Sequence, residues 1–343
     1  MGKKLIFAVA GSGKTSLILK SIDDAKRSRI IAYTNENLRS IEASIIEKYG
    51  HLPKHIHVRS YFSFLYGFCL RPYISYKLRD NAYTWKAPPK SRAKTTDTSY
   101  YVNSRRYLYG NRAAKLVSAG GLIDKVRRRL ERYYDDFYVD EVQDFAAHDF
   151  NFLLELSAAD IDILLVGDFF QHTFDTSRDA SVQKNLHKRG PNAYLKEFES
   201  AGFEIDTVSL EKSWRCSPTV CEFIRSKIGI NIYSTRTDDT KVYLVEGESE
   251  ALKLFDDDDK VKLFYQNSRK YPCHSNNWGK SKGLNQYGDV CVVLNTATAR
   301  AFENNKITEL PEVTRNKLYV ACSRARGDLY ILFEDHVRCR KLI

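Results

Sequence analysis

No CxxC pair and no Cys/His ligand spacing occurs among the seven cysteines of this 343-residue sequence, which stand at positions 69, 216, 221, 273, 291, 322 and 339. A structural zinc motif is therefore not expected. An odd, scattered set also suits no disulfide framework; it predicts reduced thiols, mostly buried as small apolar residues, in a cytoplasmic compartment. Nor is there an apolar run long enough to span a bilayer, so no membrane association is expected. The first apolar stretch, Leu5–Ala10, is too short for a secretory signal and runs into a glycine-rich loop. No internal repeat is evident.

What is present is enough chain for two compact domains with separate cores. Charged residues make up 28 % and hydrophobic residues 43 %, a globular mixture that excludes wholesale disorder. The formal net charge is +11, which favours a polyanionic partner such as nucleic acid; a solubility charge is the other reading.

Short apolar runs alternate with helical patterns. Leu5–Val9, Ile30–Tyr33, Phe137–Val139, Ile161–Val166, Val290–Leu294 and Leu329–Phe333 read as strands. A helix is predicted from Lys14, and another from Asn35 to Tyr49, with Leu38, Ile41, Ile45 and Ile46 at helical spacing and Gly50 closing it. This alternation predicts an α/β fold with parallel sheets, whose ligands bind at the carboxyl ends of the strands. Residues 72–132 depart from it. They are basic and tyrosine-rich, with the cluster Lys125, Arg127, Arg128, Arg129 and Arg132, and read as a small inserted subdomain. Residues 235–275 also lack clear alternation; their acidic run Asp256–Asp259 reads as a solvated loop.

Ala8-Val9-Ala10-Gly11-Ser12-Gly13-Lys14-Thr15, followed by Ser16, matches a phosphate-binding loop except for alanine at the first glycine. Gly11 and Gly13 let backbone N–H groups turn toward phosphates, and the helix N-terminus adds a favourable dipole. Lys14 is then the residue for the β- and γ-phosphates of ATP, and Thr15 a ligand of Mg²⁺. In Phe137-Tyr138-Val139-Asp140-Glu141-Val142-Gln143-Asp144 an apolar strand delivers two adjacent carboxylates. Asp140 is placed to hold the hydrated Mg²⁺ and Glu141 to polarise the attacking water, which a hydrolase needs and a kinase does not. Gln171, after the strand ending Val166-Gly167-Asp168, is a candidate γ-phosphate sensor.

With these in place, the sequence resembles superfamily 1 helicases of the UvrD/Rep type. AGSGKT at 10–15, AYTN at 32–35, SYFSF at 60–64, DEVQD at 140–144, VGDFFQ at 166–171, LEKSWRC at 210–216, KSKGL at 280–284 and YVACSRA at 319–325 follow the family's order across nearly the whole chain. The resemblance implies two RecA-like P-loop NTPase domains: residues 1–71 with 133–208, and residues 209–343 with a short insertion near 235–275. A small, mainly helical accessory insertion falls at 72–132. It makes Arg215 and Arg324 arginine fingers and Trp214 an adenine-stacking aromatic, with a core tryptophan as the alternative. It gives Gly283, beside Lys282, the coupling of nucleotide to the strand-binding face. It also aligns Thr34, Asn35, Ser60 and Tyr61 with positions that touch a single strand, although turn and core roles fit those four about equally well.

The sequence departs from the family pattern in several places. The loop begins too early for an upstream adenine-reading glutamine motif. Phe174-Asp175-Thr176-Ser177 replaces Tyr-x-Trp-Arg, leaving Phe174 as the stacking candidate. Gly279 and Asn285 stand where a histidine and a glutamate flank KSKGL. Both accessory insertions are short. The activity implied is an ATP-dependent DNA helicase or translocase on single-stranded DNA, moving 3′-to-5′. The alternatives are a nucleic-acid-stimulated ATPase subunit beside a protein partner such as a nuclease, and an RNA helicase of the viral superfamily 1 type.

Overall fold

The computed structural model describes residues 2–88, 93–173, 182–183, 185–284 and 286–342. Phe174, Asp175, Thr176, Ser177 and Asn285 lie outside the described residues. The chain divides into two compact units. The first comprises Met1–Ile6, Thr15–Gly167 and Asp175–Asp206; the second comprises Phe7–Lys14, Asp168–Phe174 and Thr207–Ile343.

One sheet, most of it in the first unit, has six strands: β1 (Lys3–Ala8), β2 (Ser28–Ala32), β3 (Ile56–Ser60), β4 (Asp136–Asp140), β5 (Asp162–Gly167) and β6 (Glu204–Leu210), in the order β3-β2-β4-β5-β1-β6. The β2–β3, β2–β4 and β4–β5 pairs are parallel. Every residue of β2 and β4 is buried, as for strands covered on both faces. At their amino ends Lys26 bonds Asp136 at 3.2 Å and Asp162 at 2.8 Å, tying β4 to β5. Those two bonds, that to Asp162 foremost, hold the Lys26 ammonium well above its ordinary pKa.

Helix α1 (Lys14–Ser21) follows β1, and α2 (Asn35–Tyr49) follows β2. Thr34 caps α2 by accepting from the Asn37 amide, and Gly50 ends it in the left-handed region at φ 74°. Within 72–132 a short parallel pair, Ala82–Thr84 with Tyr107–Tyr109, accompanies helices that include α3 (Ala113–Ala119) and α4 (Ile123–Tyr133). Helix α5 (Ala147–Leu156) buries Phe150, Phe152, Leu153 and Leu156 in the core of this unit.

The second unit has a five-stranded sheet: β7 (Val242–Val245), β8 (Val261–Phe264), β9 (Ser275–Asn277), β10 (Val290–Leu294) and β11 (Leu329–Phe333), in the order β7-β11-β10-β8-β9 with every pair parallel. Its core gathers Leu263, Trp278, Val290, Val292, Leu329 and Ile331. Residues 235–275 are thus not an insertion lacking alternation. They supply β7, helix α6 (Glu248–Asp256), β8 and the first residue of β9. Their pattern is masked because β7 is an edge strand exposing Tyr243 and Leu244, β9 is polar, and the fully buried β8 carries Lys262, whose ammonium donates to the Asp257 carbonyl. The acidic run does lie at the end of α6 and in the turn beyond it, with Asp256, Asp258 and Asp259 exposed.

Candidate functional site

The candidate phosphate loop turns between β1 and α1 on two glycines in the left-handed region, Gly11 at φ 71° and Gly13 at φ 92°. Ser12 closes the turn, its Oγ donating to the Val9 carbonyl at 2.8 Å. Lys14 and Thr15 are half-buried and Ser16 is exposed.

Two other motifs of the second unit grip this loop. The Trp214 amide donates to the Gly11 carbonyl at 2.9 Å. Ser213 Oγ accepts from the amides of Arg215 at 3.2 Å and Cys216 at 3.0 Å, fixing the turn that carries Arg215 over the loop. The approach is so close that a Cβ on Gly11 would stand 2.6 Å from Arg215 Cβ. The Arg215 guanidinium donates to the Ser323 carbonyl at 3.2 Å. Trp214 is 70 % exposed, so it is not a core tryptophan.

From helix α7 (Glu312–Cys322), Tyr319 accepts a hydrogen bond from the Ala10 amide at 2.8 Å and donates to Asp168 Oδ2 at 2.9 Å. Burial, with the Asp168 charge adding to it, pushes the phenol well above its ordinary pKa, so it holds its proton throughout the neutral range. Asp168 Oδ1 accepts from the Phe170 amide at 3.1 Å, and the Gln171 amide donates to the Asp168 carbonyl at 2.9 Å, which sets buried Gln171 in place. Arg324 is buried; its Nε donates to the Val320 carbonyl at 3.1 Å and its Nη1 to the Leu284 carbonyl at 3.0 Å. That ties it to the segment of Lys282, which is half-buried, and Gly283, which turns at φ 85°.

The sequence motifs contain Tyr319, Asp168 and Ser213, but nothing in their spacing marks these residues as grips on the loop. Replacing Tyr319 with Phe removes both of its hydrogen bonds inside the fold. Denaturant unfolding is expected to show a loss of about 1–3 kcal/mol, the usual cost of stripping a partner from buried polar groups. An unchanged midpoint would remove Tyr319 from this role.

In the first unit, Asp140 ends β4 and is buried. Glu141 follows in the left-handed region at φ 56°, ψ 47°, a conformation costing a non-glycine residue about 1–3 kcal/mol. Gln143 Nε2 donates to the Glu141 carboxylate. Gln143 is itself held, since its carbonyl meets His187 Nε2 at 3.1 Å and a Cβ on Gly167 would lie 2.4 Å from its Oε1. Glu141 is thus a carboxylate with a set direction. The Thr15 hydroxyl and Asp140 carboxylate are hard oxygen donors of the kind Mg²⁺ takes. Among the described residues no cluster of three or more His, Cys, Asp or Glu side chains could hold a metal.

Thr34 and Ser60 cap helices, Ser60 by accepting from the Ser63 amide at 3.3 Å. Asn35 is exposed. Tyr61 is buried and donates to Asp149 Oδ1 at 2.9 Å, a core role.

No protein-family model matches this chain, and no curated protein matches it. Among solved structures, arterivirus nonstructural protein 10, a helicase, aligns over 96 % of this chain and 59 % of its own, with 16 % identity and a TM-score of 0.50. The fold is similar to that of the arterivirus helicase. Two further helicase structures align with TM-scores of 0.49. One is an arterivirus nonstructural protein 10 in complex with DNA, at 15 % identity over 96 % of this chain and 60 % of that one. The other is the helicase of PRRSV, at 13 % identity over 97 % and 52 %. This chain therefore spans between 52 and 60 % of the length of these helicases. At 16 % identity the likeness to the arterivirus helicase is one of fold: mixed α/β, with parallel sheets flanked by helices. Among the described residues no helix is long and apolar enough to cross a membrane.

Proposed function

We propose that this chain is a nucleic-acid-stimulated ATPase of the superfamily 1 helicase type, a motor that moves along a single strand. The observation that carries the reading is the grip on the phosphate loop. Trp214 and Arg215 from one motif and Tyr319 from another, more than 190 residues away in sequence, meet Ala10 and Gly11. A loop can be held by its own strand and helix alone, or by remote motifs as here. One held by two remote motifs can pass the presence of a phosphate to elements that follow it.

In this reading Lys14 and the amides of Gly11, Ser12 and Gly13 take the phosphates, and Trp214 stacks on the base. Arg215 and Arg324 offset charge on the transferring phosphoryl group. Mg²⁺, held by Thr15 and Asp140, would supply Lewis-acid polarisation of the phosphoryl oxygens. Glu141, oriented by Gln143, takes the proton of the attacking water, and Gln171 senses the γ-phosphate. The strand is single-stranded DNA in the UvrD/Rep-type reading. The other reading, an RNA helicase of the viral superfamily 1 type, is compatible with the fold likeness to an arterivirus helicase.

ATP turnover measured alone, with single-stranded DNA and with single-stranded RNA is the test. Stimulation by one of them is expected; no stimulation by either sinks the motor reading. Strand displacement on 3′- and 5′-tailed duplexes then separates an unwinding enzyme from a translocase or a partner-bound ATPase subunit.

A further inference from the structure

Trp85, in the inserted subdomain, is 61 % exposed, yet its ring is held on three sides. Phe62 meets it edge-to-face with ring centres 4.3 Å apart, and Tyr83 does so at 5.4 Å. The Gly110 backbone lies so close that a Cβ there would come within 3.0 Å of the indole. Phe62 is buried and packs in turn on Tyr33, at 5.8 Å, just beyond the carboxyl end of β2. A large apolar ring immobilised in this way while more than half open to water gains nothing further from folding. It is a prearranged flat surface, which binds without losing side-chain freedom.

The surrounding charge indicates the ligand. Residues 72–132 contain fifteen Lys and Arg against four Asp and Glu, and the rest of the chain holds 39 of each, out of totals of 54 and 43. The entire net charge of +11 therefore belongs to this one segment. Helix α4 buries Val126 and Leu130 and turns Lys125, Arg128 and Arg132 to solvent, and Lys86 beside Trp85 is exposed. A polyanion whose units carry flat π-faces satisfies both features, and only unpaired bases offer those faces freely.

We propose that Trp85, backed by Phe62 and Tyr83, is a base-stacking platform for single-stranded nucleic acid, within a subdomain whose cations hold the phosphate backbone. This rests on the single-strand motor reading above. The test is anisotropy of labelled oligothymidylate and oligouridylate with the full chain, comparing wild type, Trp85→Leu and Trp85→Phe, with thermal melts to confirm folding.

Leucine keeps an apolar group against Phe62 but has no π-face, so binding should weaken about 5- to 150-fold, the range for losing one stacked base. Phenylalanine should restore most of it. The salt slope should stay that of wild type, because no cation is removed. Wild-type binding that Trp85→Leu leaves unchanged overturns the platform alone. A wild-type chain that binds neither oligomer overturns the motor reading beneath it. Equal loss in Trp85→Leu and Trp85→Phe, with both folded, overturns stacking as the cause.

Discussion

Glu141→Gln is expected to lower nucleic-acid-stimulated ATP turnover by about 10²- to 10⁴-fold, the usual contribution of a positioned general base, while leaving nucleotide affinity near that of wild type. Two features set this expectation. The residue lies in the left-handed region at φ 56°, so its direction is imposed by the surrounding fold. Its carboxylate also accepts from Gln143, which Gly167 and His187 hold in place. Glutamine preserves size and hydrogen bonding but cannot take a proton, so the loss should appear in kcat with KM little changed. Single-turnover kinetics beside equilibrium binding of a labelled nucleotide would show this. A variant turning over within a few-fold of wild type would remove Glu141 from the chemistry.

Gly11→Ala should abolish nucleotide binding and destabilise the fold by roughly 2–5 kcal/mol. About 1–2 kcal/mol comes from placing a Cβ in the left-handed region, and about 1–3 kcal/mol from overpacking. The overlap is with Arg215 Cβ at 2.6 Å and Ser213 Oγ at 2.8 Å. The first of these is anchored next to the backbone, so the loop or the turn at 213–215 must shift. Gly50→Ala is the matched control. Gly50 has nearly the same φ, 74°, with nothing within 4 Å of a built Cβ, so its alanine variant carries only the conformational cost and should still bind nucleotide. Equal destabilisation of the two variants in urea would mean that the approach of Arg215 to the loop is not a real constraint.

The strands that read most clearly from sequence are those whose residues are buried on both faces. Ile30 and Ile31, Phe137–Val139 and Val290–Leu294 are continuous apolar runs, because a parallel sheet covered by helices offers no wet face. Edge strands follow the opposite rule. β7 and β9 were obscured by exposed and polar side chains, and β8 by Lys262. Helix α2 was legible from end to end, because Thr34 and Gly50 mark its ends by local chemistry.

Spacing, and the strand before each group, single out the candidate phosphate loop and the paired carboxylates: Gly11, Gly13, Lys14, Thr15, Asp140 and Glu141. Those signals are local, and a strand–turn–helix writes them into consecutive residues. Spacing does not show that Trp214 is exposed beside the loop, that Tyr61 belongs to the core, or that Tyr319 joins Ala10 to Asp168; those come from the packed chain. Each of those depends on which side chains fill the space around one atom. Residues 10, 168 and 319 are brought to that point by sheet order and helix packing, which no short stretch of the chain encodes.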